Sequence, residues 1–249
     1  DSTVTPKTQK IEGSSAQCKA SDFDTITREV LNVAISVFWC LICTKAPFPE
    51  SASVESQLAK DSWREACQRT NIKVNLTPPL MSSILKQMSH VRGELKTKLR
   101  SLVGPFFGFR ACDSREGIKR NCDLVEHLKE GSHFAYVVRP QHPTTYIYKS
   151  DLLQLAINEM WFANRHDEGV IYHRYFNPIP TTTMALLLAV IKCCIDEWAT
   201  GIKSDIKFTA AVYATVYKDH LVSLNAFDRH TAAYDLLGQI QQTLHDNMR

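Results

Sequence analysis

The chain lacks most of the features by which a sequence declares an activity. Its 249 residues hold no HExxH helix, no GxSxG elbow and no glycine-rich phosphate loop. Zinc-finger spacing, a basic leucine zipper and an aromatic RNA-binding signature are missing too. There is no internal repeat of solenoid period and no long Gly/Pro/Ser linker. The longest apolar run, Met184 to Ile191, is followed by Lys192 and falls well short of the roughly 20 residues that cross a bilayer. No membrane span is therefore expected. The opening stretch, DSTVTPKTQKIEGSSAQ, has no apolar signal core, which favours an intracellular protein, with nucleus and cytoplasm not distinguished. Neither basic nor acidic residues dominate. With 29 Lys and Arg against 26 Asp and Glu the net charge is +3, and 44% of residues are hydrophobic. That balance excludes wholesale disorder, a collagen and an acidic tail protein.

What is present is enough apolar sequence to build a large core. A folded monomer of this size exposes roughly 11,000 of the ~41,000 Å² an extended chain presents, which suits one large core or two small domains. Of the eight cysteines, Cys40, Cys43, Cys193 and Cys194 sit inside apolar runs, where a thiol acts as a small hydrophobe. Reduced structural cysteines are favoured over a disulfide framework, and over metal or redox use. Cys40-x-x-Cys43 lies within a predicted helix, without the turn or preceding strand of a redox site and without a second pair to complete a zinc site. Core packing is its simplest reading.

Periodicity predicts an all-α fold, an irregular array of about eight helices with at most one short strand pair. Residues 1–20 read as a flexible leader and 21–249 as a single helical domain, with a seam, if any, in 104–147. The first helix is expected from Ser21 or Asp22 to before Pro47, and a second from Ser53 to Arg69. Thr77-Pro78-Pro79 marks a helix start, with Thr77 as cap. Downstream, Leu80, Ile84, Met88, Val91, Leu95, Leu99 and Leu102 fall within an arc of about 100°, and Gly104-Pro105 closes the helix. Shorter helices are expected over Glu116–Leu128, Ser150–Phe162 and Met184–Ala199, the last capped by Thr181 or Thr182 and closed by Gly201. The chain should finish with helices over Thr209–Asn225 and Arg229–Met248. Tyr136 to Val138 is the credible extended segment.

The order of several blocks carries a resemblance. MSSILKQMSHVRGELKTKLRSLV, LLQLAINEMWF, TTTMALLLAVIKCCIDEW and FTAAVYATVYKDHLVSL follow one another, with His90-x-Arg92-Gly93 plus Lys96 and Tyr217-x-x-His220 as the most specific units. Over roughly residues 24–245 the chain resembles a family of basidiomycete fungal proteins catalogued as a domain of unknown function. The resemblance implies an all-helical fold and a fungal source, and it brings no activity, ligand or catalytic residue.

The strongest chemical signal is charge on a helix. Between Leu76 and Arg120, nine bases face three acids, a local +6 that leaves −3 for the rest of the chain. Lys86, His90, Arg92, Lys96 and Arg100 occupy an arc of about 160° opposite the apolar stripe, and Arg110, Arg115, Lys119 and Arg120 follow. Arg92, Lys96 and Arg100 stack like charges at four-residue spacing, a strain that an anionic partner would relieve. A solvated face neutralised from elsewhere in the fold explains the same pattern without a partner. Gly93 in mid-helix suggests close approach of another helix or of a ligand.

The histidines give weaker signals. His166 and His173 are two turns apart, with Asp167 and Glu168 adjacent, and His220 follows Asp219. They are the only candidates for a histidine–carboxylate enzyme; for His220 a helix-terminal position near free carbonyls is the plainer account. Tyr172, Tyr175 and Phe176 read as an aromatic plug before Pro178, or as base-stacking rings. The expectation is thus a non-enzymatic binding module whose basic residues dock an acidic protein surface or a nucleic-acid backbone, with no cofactor and no metal. The alternatives are an enzyme and an oligomeric scaffold such as a homodimer.

Overall fold

The structure, a computed structural model, describes residues 22–137, 146–148 and 151–248. The expected leader and Val138 lie outside the described residues. Two compact units divide at Val91/Arg92, upstream of 104–147.

The first unit holds α1 (Thr25–Thr44), α2 (Ala52–Thr70) and α3 (Pro78–Leu85). Asp24 starts α1 by accepting hydrogen bonds from the Thr27 amide and hydroxyl at 3.0 and 2.7 Å. Val30, Leu31, Ala34, Val37, Phe38 and Leu41 are buried, and Cys40 and Cys43 lie in the same core. Helix α1 is itself strongly apolar. At 20 residues with a mean hydropathy of 1.6 it is long and apolar enough to cross a membrane by length and composition. It packs against α2 and α3 with more than half of that window buried, as a core helix does. Helix α2 ends at Asn71, whose left-handed φ of 55° lets its amide reach the Cys67 and Gln68 carbonyls. The Trp63 indole then donates to the Val74 carbonyl at 2.9 Å and holds the following loop down.

Helix α4 (Gln87–Phe107) starts in the first unit and ends in the second. The single rod expected from Pro78 to Leu102 is therefore two helices, parted at Lys86. Lys86 keeps right-handed helical angles there, with Ser83 Oγ donating to the Pro79 carbonyl at 3.0 Å and Gln87 Nε2 to the Ser83 carbonyl at 3.5 Å. Thr77 occupies the cap position of α3 without a side-chain cap bond; Pro78 supplies the start. Nor does Gly104-Pro105 end α4. The helix continues through Pro105 and stops at Gly108, where a φ of 77° allows Phe109 N–H to bond the Gly104 carbonyl and Gly108 N–H the Pro105 carbonyl.

The second unit continues with α5 (Arg115–Lys129), a 3-10 segment at Glu130–Ala135, and a two-stranded antiparallel pair, β1 (Tyr136–Val137) with β2 (Tyr146–Ile147). Then come α6 (Asp151–Trp161), α7 (Glu168–Ile171), α8 (Thr181–Asp196), α9 (Ala210–Thr231) and α10 (Leu236–Asp246). The architecture is all-α. Helix α8 is its axis: 12 of its 16 residues are buried, as an all-round apolar helix must be. Helices α5, α6 and α9 pack on it. Thr181 does not cap α8; its hydroxyl accepts from Gln241 of α10 at 3.0 Å, and Pro180 holds the cap position. Tyr172 and Phe176 are buried, with Phe176 against Trp161 and Phe162, so the aromatic segment is a plug. Without Gly or Pro to stop it, α9 runs past Asn225 to Thr231, and the break falls at Asp235, which adopts a φ of 47°. The Asp235 carboxylate lies over Gly238, where a Cβ would meet it at 2.4 Å.

Candidate functional site

The basic ladder of α4 meets an acid its own sequence neighbourhood does not contain. Lys96 and Arg100 are one turn apart, and both turn onto Glu197, the residue that ends α8. Lys96 Nζ lies 2.8 Å from Glu197 Oε1 and 2.9 Å from Asp205 Oδ1, and it also donates to the Ile206 carbonyl. Arg100 Nε donates to both Glu197 oxygens at 3.0 and 2.9 Å, while its Nη2 bonds Glu197 and Asp205. Glu197 is fully buried and Lys96 is 8% exposed, whereas Asp205 stands largely in solvent. Two positive and two negative charges cancel.

The titration behaviour follows from this packing. Burial opposes ionisation of Glu197, but the hydrogen bonds and charges of Arg100 and Lys96 outweigh it and hold the carboxyl below its ordinary value. Burial likewise works against the Lys96 ammonium and is overcome by Glu197 and Asp205, so its pKa rises. The adjacent Cys193 and Cys194 thiols are pushed up by desolvation and stay protonated. Such a cluster binds the end of α8 and the 197–206 loop to α4. It offers no free charge to a partner, and this corrects the expectation that Lys96 and Arg100 face water.

The other expected binding residues separate. Lys86 is half-buried and His90 exposed, both in the first unit. Arg92, half-buried, begins the second unit and is not without a partner. Gly93 is exposed with nothing within 4 Å of a built Cβ, so close packing is not its reason. Arg110, Arg115, Lys119 and Arg120 are all exposed and share one locality. Buried Asn121 knits it together, donating from Nδ2 to the Arg110 carbonyl at 2.8 Å and to the Gly201 carbonyl at 2.9 Å. Gly201, with a φ of 79°, permits that approach, since a Cβ there would sit 2.3 Å from the Ile118 carbonyl oxygen. Phe109 stacks on Trp198 at 5.1 Å, and Lys203 lies over the same indole. Arg120 is tied to the Gly108 carbonyl at 3.0 Å. Among the described residues, no carboxylate comes within ion-pair distance of Arg110, Arg115 or Lys119.

The three histidines proposed for catalysis are dispersed. His166 is exposed and accepts from Arg165 Nε at 3.0 Å in the turn before α7, and His173 is exposed in a 3-10 turn. His220 lies in the middle of α9 and not at its end, buried edge-on to Phe134 at 5.7 Å, and its Nε2 has no hydrogen-bond partner among the described residues. Burial, aided by the charge of Lys192, pushes its pKa down to about 4. A cavity of about 530 Å³ beside α6 is lined by Asp151, Gln154, Asn158, Glu159, Phe162 and Asn247 among others, and by none of these histidines. Among the described residues, these three histidines form no common cluster with carboxylates.

The chain matches the family described as Domain of unknown function (DUF6532) over residues 33–227. It belongs to that family. No curated protein and no solved structure matches. The DUF6532 stretch takes in the Lys96–Glu197 cluster, the basic locality and His220, and stops short of α10.

Sequence reading missed three things in the DUF6532 region. Glu197 and Asp205 lie about a hundred positions from their partners, and no local pattern announces them. Lys203 joins the basic locality only through the fold. His127, Glu130 and His133 converge at the end of α5, with ligand atoms within 4.8 Å of one another. That last group had a legible signal, the spacing HxxExxH.

Proposed function

We propose that this chain is a helical binding module that docks an acidic protein surface through Arg110, Arg115, Lys119 and Lys203. The observation that carries the reading is the set of three exposed cations without a carboxylate in ion-pair range among the described residues, beside a neutralised cluster on α4. Arg115 and Lys119 are one turn apart on α5, so like charges are held together at a small cost that an acidic partner removes. Phe106 and Ile202, 42% and 54% exposed, flank the locality. Apolar side chains beside basic ones suit a protein surface better than a phosphate backbone, which offers them nothing to bury against. A basidiomycete source and an intracellular setting, where thiols stay reduced, complete the proposal.

Fluorescence anisotropy with a labelled glutamate–leucine peptide tests it, with duplex DNA of similar charge in parallel. The peptide should bind, more weakly as salt rises, and Arg110→Glu/Arg115→Glu/Lys119→Glu should abolish binding while leaving the melting curve unchanged. Peptide binding that survives the triple reversal overturns the proposal. So does tighter binding to DNA, which would transfer the locality to nucleic acid.

A further inference from the structure

Helix α5 finishes with His127 in its last turn, and Glu130 and His133 follow at three-residue intervals. On a continuous helix these would spread over an arc of about 120°. Here Gly131 and Ser132 both adopt left-handed backbone, with φ of 55° and 60°, and turn the chain back over the helix end. His133 is thereby folded onto His127, their ring centroids 5.0 Å apart. Its Nδ1 lies 3.0 Å from the His127 carbonyl oxygen. A carbonyl can only accept, so Nδ1 carries the proton and donates, leaving the Nε2 lone pair free. That is the tautomer a metal-ligating histidine uses, with the carbonyl fixing the ring.

The electrostatics agree. The carbonyl end of a helix carries partial negative charge and favours a cation. The ammonium of Lys129, two residues along from His127, is paired with Asp196 at 2.6 Å. We propose that His127, Glu130 and His133 form a binding site for a divalent transition-metal ion, zinc foremost. Two imidazoles and one carboxylate are the donor set of zinc and its neighbours, whereas calcium and magnesium call for oxygen ligands. Zinc bonds of about 2.1 Å set tetrahedral donors about 3.4 Å apart. The present separation, within 4.8 Å, closes by rotating the exposed His127 and Glu130 side chains. Three protein ligands leave a fourth position for water or for an outside donor. This proposal stands independently of the basic locality.

The test is isothermal titration of the chelator-treated full chain with zinc chloride alone. A single saturable equivalent is expected near neutral pH, weakening about tenfold or more near pH 5.5 because protons compete with the metal for its ligands. Glu130→Gln, at an exposed side chain, should weaken binding by about tenfold, and His127→Ala/His133→Ala should abolish it. His166→Ala/His173→Ala should bind like the parent. Absence of saturable heat overturns the site, as does unchanged binding in the His127/His133 variant or loss of binding in the His166/His173 variant.

Discussion

A carboxylate with no exposure to water survives only if its neighbours supply what water would have supplied. For Glu197 those neighbours are Lys96 and Arg100, which between them reach both of its oxygens. Removing its charge leaves two cations, one of them nearly buried, with only the exposed Asp205 for company. Glu197→Gln should therefore cost about 3 kcal/mol or more, the usual range for breaking a buried pair from one side. Asp205→Asn, at a solvated position, should cost much less. Urea unfolding of the two variants checks the contrast, and near-equal losses would show that Glu197 is not the centre of the cluster. The same geometry explains why the ladder was legible as charge but not as structure. Lys96 and Arg100 announce themselves by spacing, while their partners arrive from the far end of α8, and only the tertiary fold joins them.

Elements were most legible where a local rule dominates. The apolar spacing of α1, α2 and α6 matches their buried faces because a helix buries what recurs every three or four residues. Boundaries went astray where no breaker marks a helix end or a backbone angle outranks one. Helices α3 and α4 part at Lys86 with no breaker at all, and Gly108 ends α4 three residues beyond the expected proline. Gly93 shows the opposite error, in which a mid-helix glycine implied a close neighbour. It stands exposed in α4 with open space where a Cβ would go and no positive φ. Gly93→Ala should then stabilise by about 1 kcal/mol through backbone entropy and helix propensity. Thermal melting should shift upward by roughly 2–4 °C. A downward shift would mean that something other than the helix requires glycine there.

For the molecule as a whole, the net charge conceals an internal settlement in which Glu197 and Asp205 neutralise Lys96 and Arg100 of the basic segment. Stability then depends on pH through the groups that folding forces into one protonation state. His220 is the clearest of these, buried against Phe134 with Lys192 and Asp219 as its charged influences and no hydrogen-bond partner for Nε2 among the described residues. Its pKa falls from an ordinary 6.5 to about 4 in the folded chain. Between those values the unfolded chain binds a proton that the folded chain refuses, so acid favours unfolding. The contribution is intact above pH 6.5, declines as pH drops, and levels off near pH 4, a loss of about 3 kcal/mol in all. Glu197, held below its ordinary value by two cations, loses its contribution only in more acidic solution. His220→Phe keeps a ring against Phe134 and has no proton to bind. Unfolding free energies measured across this window should slope for the parent and run flatter for the variant, and parallel slopes would place the acid sensitivity elsewhere in the molecule.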